Sequence, residues 1–245
     1  MSRITQILLA TASLTVILLG IAFFGMTLPD LFGLRVSEVV VADTADPTLT
    51  ETLSFGSAAL VGDGPTLRLP LLTTQSYAQG SFEKTSEGNI VNFAFLTPGQ
   101  PARWLLPGRS ALIVHAEALA LSGDLIAPMM VGQDIFTTGF DAATGAASTA
   151  RAPDAPHEVA LMLVLAEADS NGDGRLSARD ALTLALTRPD GTGRVDLAGG
   201  LTAVPQVMPS ARDLAFLLQG DAGYEALRVD PVAFTVTDRQ PVPLP

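Results

Sequence analysis

The 245-residue chain contains no cysteine, a single lysine and few charged residues of either sign. The absence of cysteine excludes disulfide bonds, thiolate metal sites and cysteine nucleophiles. Lys84 is the one lysine, and at a net charge of -11 the chain lacks the clustered cations that nucleic-acid phosphates require. We therefore expect no nucleic-acid partner. Anionic lipid heads would repel such an acidic surface, so any membrane contact is expected to come from an inserted segment.

Catalytic sequence motifs are also missing. The chain has no G-x-S-x-G, no P-loop and no G-x-G-x-x-G. Its two histidines, His115 and His157, lie in an apolar run and directly after a proline, without the spacing of a metal or catalytic pair. We expect both to be structural, and we do not expect an enzyme as the leading function.

What the chain does have is a long uncharged segment near its N-terminus. Residues 4–28 carry no charged side chain, and about 20 apolar residues suffice to cross a bilayer as a helix. A cleaved signal peptide, the alternative, usually has a shorter apolar region of about 7–15 residues. Arg3 precedes the segment and mainly acidic residues follow it, which predicts a cytoplasmic N-terminus.

These features predict three regions. Residues 1–28 are interpreted as a single-pass transmembrane anchor, residues 29–36 as a juxtamembrane link and residues 37–245 as a domain on the extracytoplasmic, periplasmic side of the cell membrane. Residues 137–157 are rich in Ala, Thr, Gly and Pro, which is typical of an exposed loop or linker.

Alternating apolar residues predict a mainly antiparallel β-rich domain. Val91, Phe93 and Phe95 alternate with smaller or polar residues, and a Pro-Gly turn separates them from residues 102–106, which predicts a hairpin. We expect both phenylalanines and Trp104 to be core residues. Short strands joined by turns at this spacing favour a partial propeller-like sheet or a sandwich.

Further strands follow the same pattern. Hairpins are predicted over residues 182–197 and 214–229, and a last strand over residues 233–237. Residues 159–165 are apolar on every side, which fits a buried central strand, although Pro156 before them leaves a helix as the alternative.

The most specific motif is the twelve-residue run DSNGDGRLSARD at residues 169–180. Oxygen-bearing side chains occupy loop positions 1, 3, 5, 9 and 12, glycine occupies position 6 and an apolar residue position 8, which is the pattern of a calcium-binding loop. Arg175 would contribute its carbonyl and Ser177 would act through a water. Aspartate replaces the usual glutamate at position 12, so a weak site of about 10⁻⁴ to 10⁻³ M is expected. The predicted ligands of this Ca²⁺ site are Asp169, Asn171, Asp173, Arg175, Ser177 and Asp180.

This loop resembles the calcium loops of EF-hands and dockerins. Sensors of the EF-hand type use two such loops, whereas the one candidate partner, residues 188–199, has Arg188 at position 1 and Gly199 at position 12. The succession of strand, calcium loop, strand and Asp-Gly turn over residues 159–197 is similar to repeats of bacterial extracytoplasmic proteins related to TolB-like β-propellers. A weak, unpaired site between two predicted strands is expected to tie down a loop rather than to sense a calcium signal.

The sequence therefore predicts a membrane-anchored extracytoplasmic protein in which Ca²⁺ is structural, acting as an interaction or envelope-structural module. Its predicted partners are the membrane, through the N-terminal helix, and a protein that the sequence does not identify. Two alternatives stay open, an extracytoplasmic hydrolase with catalytic groups on scattered strand ends and a calcium-responsive helix–loop–helix protein.

Overall fold

The described part of the protein is built from β-strands. The computed structural model describes residues 49–62, 64–79, 82–122, 125–130, 139–141, 146–148, 157–211 and 213–244. The predicted anchor and link, residues 1–36, lie outside these ranges. Within them, no helix has the length and apolar character needed to cross a membrane. The contacts of the backbone separate Met1–Glu38 from Val39–Pro245, and every described residue belongs to the second unit.

Sixteen strands run through the described residues. They are β1 Thr50–Phe55, β2 Ala59–Leu60, β3 Leu67–Gln79, β4 Phe82–Leu96, β5 Arg103–Trp104, β6 Leu112–Ser122, β7 Leu125–Met130, β8 Gly139–Asp141, β9 Ala146–Ser148, β10 His157–Ala166, β11 Leu182–Thr187, β12 Val195–Leu201, β13 Gln206–Met208, β14 Leu214–Gly220, β15 Gly223–Val229 and β16 Val236–Val242. The expectation of a mainly antiparallel β-domain is confirmed for this part of the chain.

Fourteen of these strands share one hydrogen-bonded sheet. Its path runs β1-β3-β4-β6-β10-β11-β12-β14-β15-β16, with β2, β5, β7 and β13 attached beside it, and all the pairings are antiparallel. β8 and β9 form a separate two-stranded ribbon within residues 137–157, where the sequence predicted a loop.

Strand β10 is buried on both faces, which explains its unbroken apolar sequence. Leu161, Leu163 and Leu165 project to one side and pack with Phe93 and Phe95 of β4. The alternate residues, from Ala160 to Ala166, pack on the other side with a cluster that contains Phe216 of β14 and Leu227 of β15. A strand with core on both faces carries no polar alternation. The strand interpretation of residues 159–165 is thus confirmed, and the helix alternative is wrong.

The central strands therefore divide two apolar clusters. The first, which we call the amino-terminal cluster, combines residues of β4 and of the segment after β5 with one face of β6 and β10. The second, the carboxy-terminal cluster, combines the opposite face of β6, β10 and β11 with β12, β14 and β15. Burying apolar area at about 25 cal/mol per Å² makes these two clusters the main source of stability.

One buried ion pair connects strands that are distant in the sequence. Arg68 of β3 donates from its guanidinium to the Glu158 carboxylate of β10 at 2.5 Å, and both side chains are almost fully buried. Removing one partner of such a pair would leave an uncompensated charge in the interior, which is strongly destabilising, whereas the net contribution of the intact pair to stability is small because both charges lose their hydration.

The three predicted hairpins are observed, whereas the predictions for the last strand and for Trp104 need correction. β4 and β5, β11 and β12, and β14 and β15 pair as antiparallel neighbours around the expected turns. The last strand begins at Val236, not at residue 233, because residues 231–233 form a turn held by Asp230, whose carboxylate accepts the amides of Val232 and Ala233. Phe93 and Phe95 are core residues as expected, whereas Trp104 is 44% exposed.

Candidate metal site

The twelve-residue loop connects β10 to β11 at one end of the central strands. Both flanks are strands paired with each other, from Ala166 opposite Leu182 to Leu161 opposite Thr187. Among the described residues the loop therefore has no flanking helix, and the helix–loop–helix alternative is wrong. Leu176, at loop position 8, is buried in the carboxy-terminal cluster and fixes the middle of the loop to the core.

Asp169 organises the first half of the loop. Its Oδ1 accepts the backbone N–H groups of Gly172 and Asp173 at 2.8 and 3.1 Å, and its Oδ2 accepts that of Gly174 at 2.7 Å. Three backbone N–H groups thus point at one carboxylate. This is the arrangement of a backbone nest that binds an anion, with the Asp169 side chain in the place of the anion. Gly174 has a φ of 80°, the left-handed conformation that loop position 6 requires.

Two further side chains make local turns that expose oxygen atoms. Asn171 Oδ1 accepts the Asp173 amide at 2.9 Å, and Asp173 Oδ1 accepts the Arg175 amide at 3.0 Å, so both form Asx-turns. Within the described chain, Asp169 Oδ2, Asn171 Oδ1 and Asp173 Oδ1 each accept one N–H group, and a carbonyl or carboxylate oxygen has a second lone pair. These three side chains retain the capacity to bind a cation.

Asp180, the predicted twelfth-position ligand, has a different environment. It is 2% exposed, and its Oδ1 accepts the amides of Ser170 and Asn171 together with the Ser170 hydroxyl. Its Oδ2 accepts the amide and the hydroxyl of Ser177. Five donors occupy this carboxylate, so it clamps the two ends of the loop together in this conformation.

The remaining predicted ligands lie on the same second half. Ser177 is buried and directs its N–H and its hydroxyl to Asp180, while its Oγ also accepts the Arg179 amide. Arg175 is half-buried next to the Asp173 turn. Ser170 was not among the predicted site residues, yet its hydroxyl accepts the Ala181 amide at 2.6 Å and so links the loop to β11. The calcium-loop pattern does not specify the residue at loop position 2, so the sequence could not indicate this role of Ser170.

The second Asp-Gly turn, residues 188–193, is held by protein groups instead. Asp190 Oδ1 accepts the hydroxyl and the amide of Thr192 at 2.7 and 2.9 Å. Arg103 donates to the Asp190 carbonyl and lies 3.7 Å from its carboxylate. Burial alone would raise the pKa of Asp190, but the bonds from Thr192 and the charges of Arg103 and Arg188 outweigh it, so this pKa is lowered.

Gly191 brings this turn directly onto the amino-terminal cluster. It is buried with a φ of 75°, and a Cβ atom added there would overlap the ring of Phe95. The turn at 188–193 is therefore part of the core packing.

Outside these loops the described residues hold little metal-binding chemistry. His115 lies 3.5 Å from Glu117, two residues along β6, and His157 is exposed at the start of β10. In the part of the chain that the structure describes, no three His, Cys, Asp or Glu side chains converge as a metal-binding group. The candidate site thus depends on amide and carbonyl oxygens in addition to its carboxylates. Neither protein-family models, nor curated proteins, nor solved structures include a match to this chain.

Proposed function

We propose that this chain is a membrane-anchored extracytoplasmic protein whose β-domain binds one structural Ca²⁺ in the loop at residues 169–180, and that it acts as an interaction or envelope-structural module. The observation that carries the calcium proposal is the state of the first half of the loop. Asp169, Asn171 and Asp173 are already oriented by backbone N–H groups and keep free lone pairs on oxygen, the ligand atom that calcium prefers.

The proposed ion would be held by these three side chains and by the Arg175 carbonyl, with Ser177 acting through a water. Asp180 would join them only by giving up amide bonds that close the loop. Without Asp180 the ion has fewer protein ligands than in a complete calcium loop, and the amides of the loop compete with the ion for the Asp180 carboxylate. Both effects lower the affinity for calcium, which supports a weak site with a Kd of about 10⁻⁴ to 10⁻³ M, the range of extracellular modules. Because the flanks are paired strands, such an ion would stabilise the hairpin without transmitting a helix rearrangement.

The test is thermal unfolding of the full chain with calcium and with a chelator. Calcium at ten times its Kd should stabilise the fold by about 1.4 kcal/mol, seen as a higher Tm. Asp173→Ala should abolish this increment, because it removes one of the three proposed side-chain ligands. Asp173 is suited to the test because its exposed carboxylate makes one described bond, to the Arg175 amide. Asp221→Ala, in the exposed turn between β14 and β15, is the matched control and should keep it. An identical Tm with calcium and with chelator would refute calcium binding.

The architectural part of the proposal is a sandwich-like domain. Two apolar clusters on opposite faces of β10 and β11 support layers packed on both sides of the central strands. The similarity to calcium loops of TolB-like propeller repeats stays a prediction.

The membrane topology can be tested by cysteine labelling, because the chain has no cysteine of its own. Thr50→Cys and Ser2→Cys each introduce a single thiol, for labelling in spheroplasts with a membrane-impermeant maleimide. The proposed topology expects labelling at Thr50 and protection at Ser2 until the membrane is permeabilised. Equal labelling of both positions would contradict the topology and leave the calcium proposal intact.

The interaction role is supported by an aromatic surface. Phe55 of β1 and Trp104 of β5 are 56% and 44% exposed, and their rings stack with centroids 6.2 Å apart. Exposed clusters of aromatic residues are enriched at protein–protein interfaces.

A further inference from the structure

Among the described strands, β1 forms one end of the large sheet, and no described strand pairs with its outer edge. It pairs with β3 from Thr50 opposite Ser76 to Phe55 opposite Leu71, and all six of its residues are exposed. The Gly56 amide donates to the Pro70 carbonyl, so the even-numbered backbone groups face β3. In an antiparallel ladder the groups alternate, which leaves the N–H and C=O of Glu51, Leu53 and Phe55 on the open edge.

The opposite end of the sheet is protected in a way that β1 is not. The end strand β16 contains Asp238, Arg239 and Pro241, and both charged residues and proline discourage pairing with another strand. β1 has no proline. Its one charged side chain, Glu51, is turned onto its own molecule, where it accepts bonds from Thr73 and Gln75 and lies 2.7 Å from Arg109.

The ion pair of Glu51 with Arg109 favours contact between two copies, because the chain as a whole is acidic. With a net charge of -11, two copies repel each other at long range, and an unpaired carboxylate at the edge would add to this repulsion at contact. The ion pair with Arg109 makes the β1 edge locally neutral. Beside it lie the exposed side chains of Leu53, Phe55 and Trp104, the last stacked on Phe55. The edge is therefore open in its backbone, apolar on one face and free of net charge.

We propose that β1 pairs antiparallel with β1 of a second copy of this chain, around a two-fold axis at Ser54. This register places Leu53 opposite Phe55 of the second copy and Phe55 opposite Leu53, so that apolar side chains meet on one face. The outward N–H and C=O groups of these residues become the hydrogen-bonded pairs. Ser54 meets its own counterpart at a non-hydrogen-bonded position.

A second copy fits this edge because the sequence of β1 is self-complementary. A two-fold contact requires one surface to match itself, and the spacing of Leu53 and Phe55 on either side of Ser54 meets that requirement. In this register only residues 53–55 of each β1 lie opposite β1 of the other copy. Such a short ladder and a small aromatic surface bury less than the roughly 1,600 Å² of a standard interface, so the isolated contact is weak. Holding both copies in one membrane raises their effective concentration. The inference thus deepens the proposed interaction function but does not depend on calcium.

The absence of cysteine allows a direct test by disulfide formation in the full chain, with and without chelator. Ser54→Cys places two thiols at facing non-hydrogen-bonded positions, about 4.5 Å apart at Cα, within the range that a disulfide spans. Thr50→Cys, equally exposed on the same strand, is the control, since its two copies would lie eight residues apart along the ladder, about 27 Å. We expect at least about tenfold more cross-linked dimer for Ser54→Cys.

Equal cross-linking at both positions, or none at Ser54, would overturn the proposal. Light scattering of the cysteine-free chain supplies a second readout, in which Leu53→Lys lowers the dimer fraction and Gln240→Lys on β16 does not. A dimer that Leu53→Lys leaves unchanged would also overturn it. If calcium raises the Tm but Ser54→Cys forms no cross-link, only the dimer proposal is refuted. If the cross-link forms but calcium does not raise the Tm, only the calcium proposal is refuted.

Discussion

Two Asp-Gly loops lie at opposite ends of strand β11, and they are held in place by different forces. The loop at 169–180 is largely exposed, and its fold depends on carboxylates that accept its own amides, with Asp169 and Asp180 as the two centres. The turn at 188–193 is shorter and is pressed onto Phe95 at Gly191. Arg103 and Thr192 complete its contacts.

The difference shows how similar residues serve different purposes. In the short turn, Asp190 accepts bonds from protein donors and the backbone is held by packing against Phe95. In the long loop, local hydrogen bonds carry the fold and the first three ligand positions keep unused oxygen capacity. An ion is useful where packing is absent, since binding to the folded state alone stabilises that state.

The largest effect should come from crowding the packed turn. Gly191→Ala introduces a Cβ at a positive φ and against the Phe95 ring, and the cost of overpacking plus that of the backbone conformation is about 2–5 kcal/mol. Gly99→Ala is the control, because Gly99 has a φ of 76° with open space around it and should cost only about 1 kcal/mol. Urea unfolding of the full chain measures both. Equal losses would mean that Phe95 does not restrain the turn.

A smaller effect is expected from removing the clamp of the long loop. Asp180→Ala deletes the acceptor of the amides of Ser170 and Ser177, and the unsatisfied donors should cost about 2–3 kcal/mol in the presence of chelator. Asp180→Asn keeps one acceptor oxygen and should lose about half as much. The midpoint of urea unfolding reports the change. An Asp180→Ala variant as stable as the wild type would show that the Asp180 clamp contributes nothing to stability without an ion.

The smallest effect concerns acid and the short turn. Because the pKa of Asp190 is lowered in the folded protein, its ionised form contributes stability that is complete above the ordinary aspartate value of 3.8 and is lost as the pH falls through the folded pKa. Asp190→Asn should therefore be less stable than the wild type near neutral pH, with the gap narrowing below that value. Other carboxylates with lowered pKa, such as Asp213, titrate in both proteins and cancel. A gap that widens in acid would contradict the assignment.

Much of the strand pattern could be predicted from local sequence. The hairpins around residues 97–100 and 188–193 have Pro-Gly and Asp-Gly turns between apolar runs, and the hairpin at 220–223 has the glycine-rich turn Gly-Asp-Ala-Gly. These signals act over a few residues. The all-apolar run of β10 also indicated a buried strand. What local sequence underestimated is the length of β3 and β4, since polar residues such as Gln75 and Asn89 continue both strands in a buried environment.

Long-range contacts could not be predicted in this way. Nothing near Arg68 indicates that its partner lies 90 residues further on at Glu158. Trp104 follows the apolar pattern of its neighbours, but it lies next to Phe55 at the end of the sheet and stays exposed. In the candidate site, the sequence predicted calcium ligands at the oxygen-bearing positions, which stays a prediction. The engagement of Asp180 by five donors could not be predicted, because it depends on how the two ends of the loop meet.

The two-sided burial of β10 has a consequence for synthesis on the ribosome. Strands β1 to β7 are translated first, but the apolar side of β4 that carries Phe93 and Phe95 is covered by β10, whose last residue is Ala166. A nascent chain that has not reached this point exposes aromatic surface and the unpaired flank of β6. We therefore expect the N-terminal strands to fold only after β10 has been made and to need protection from aggregation until then, so that both apolar clusters form in one cooperative step.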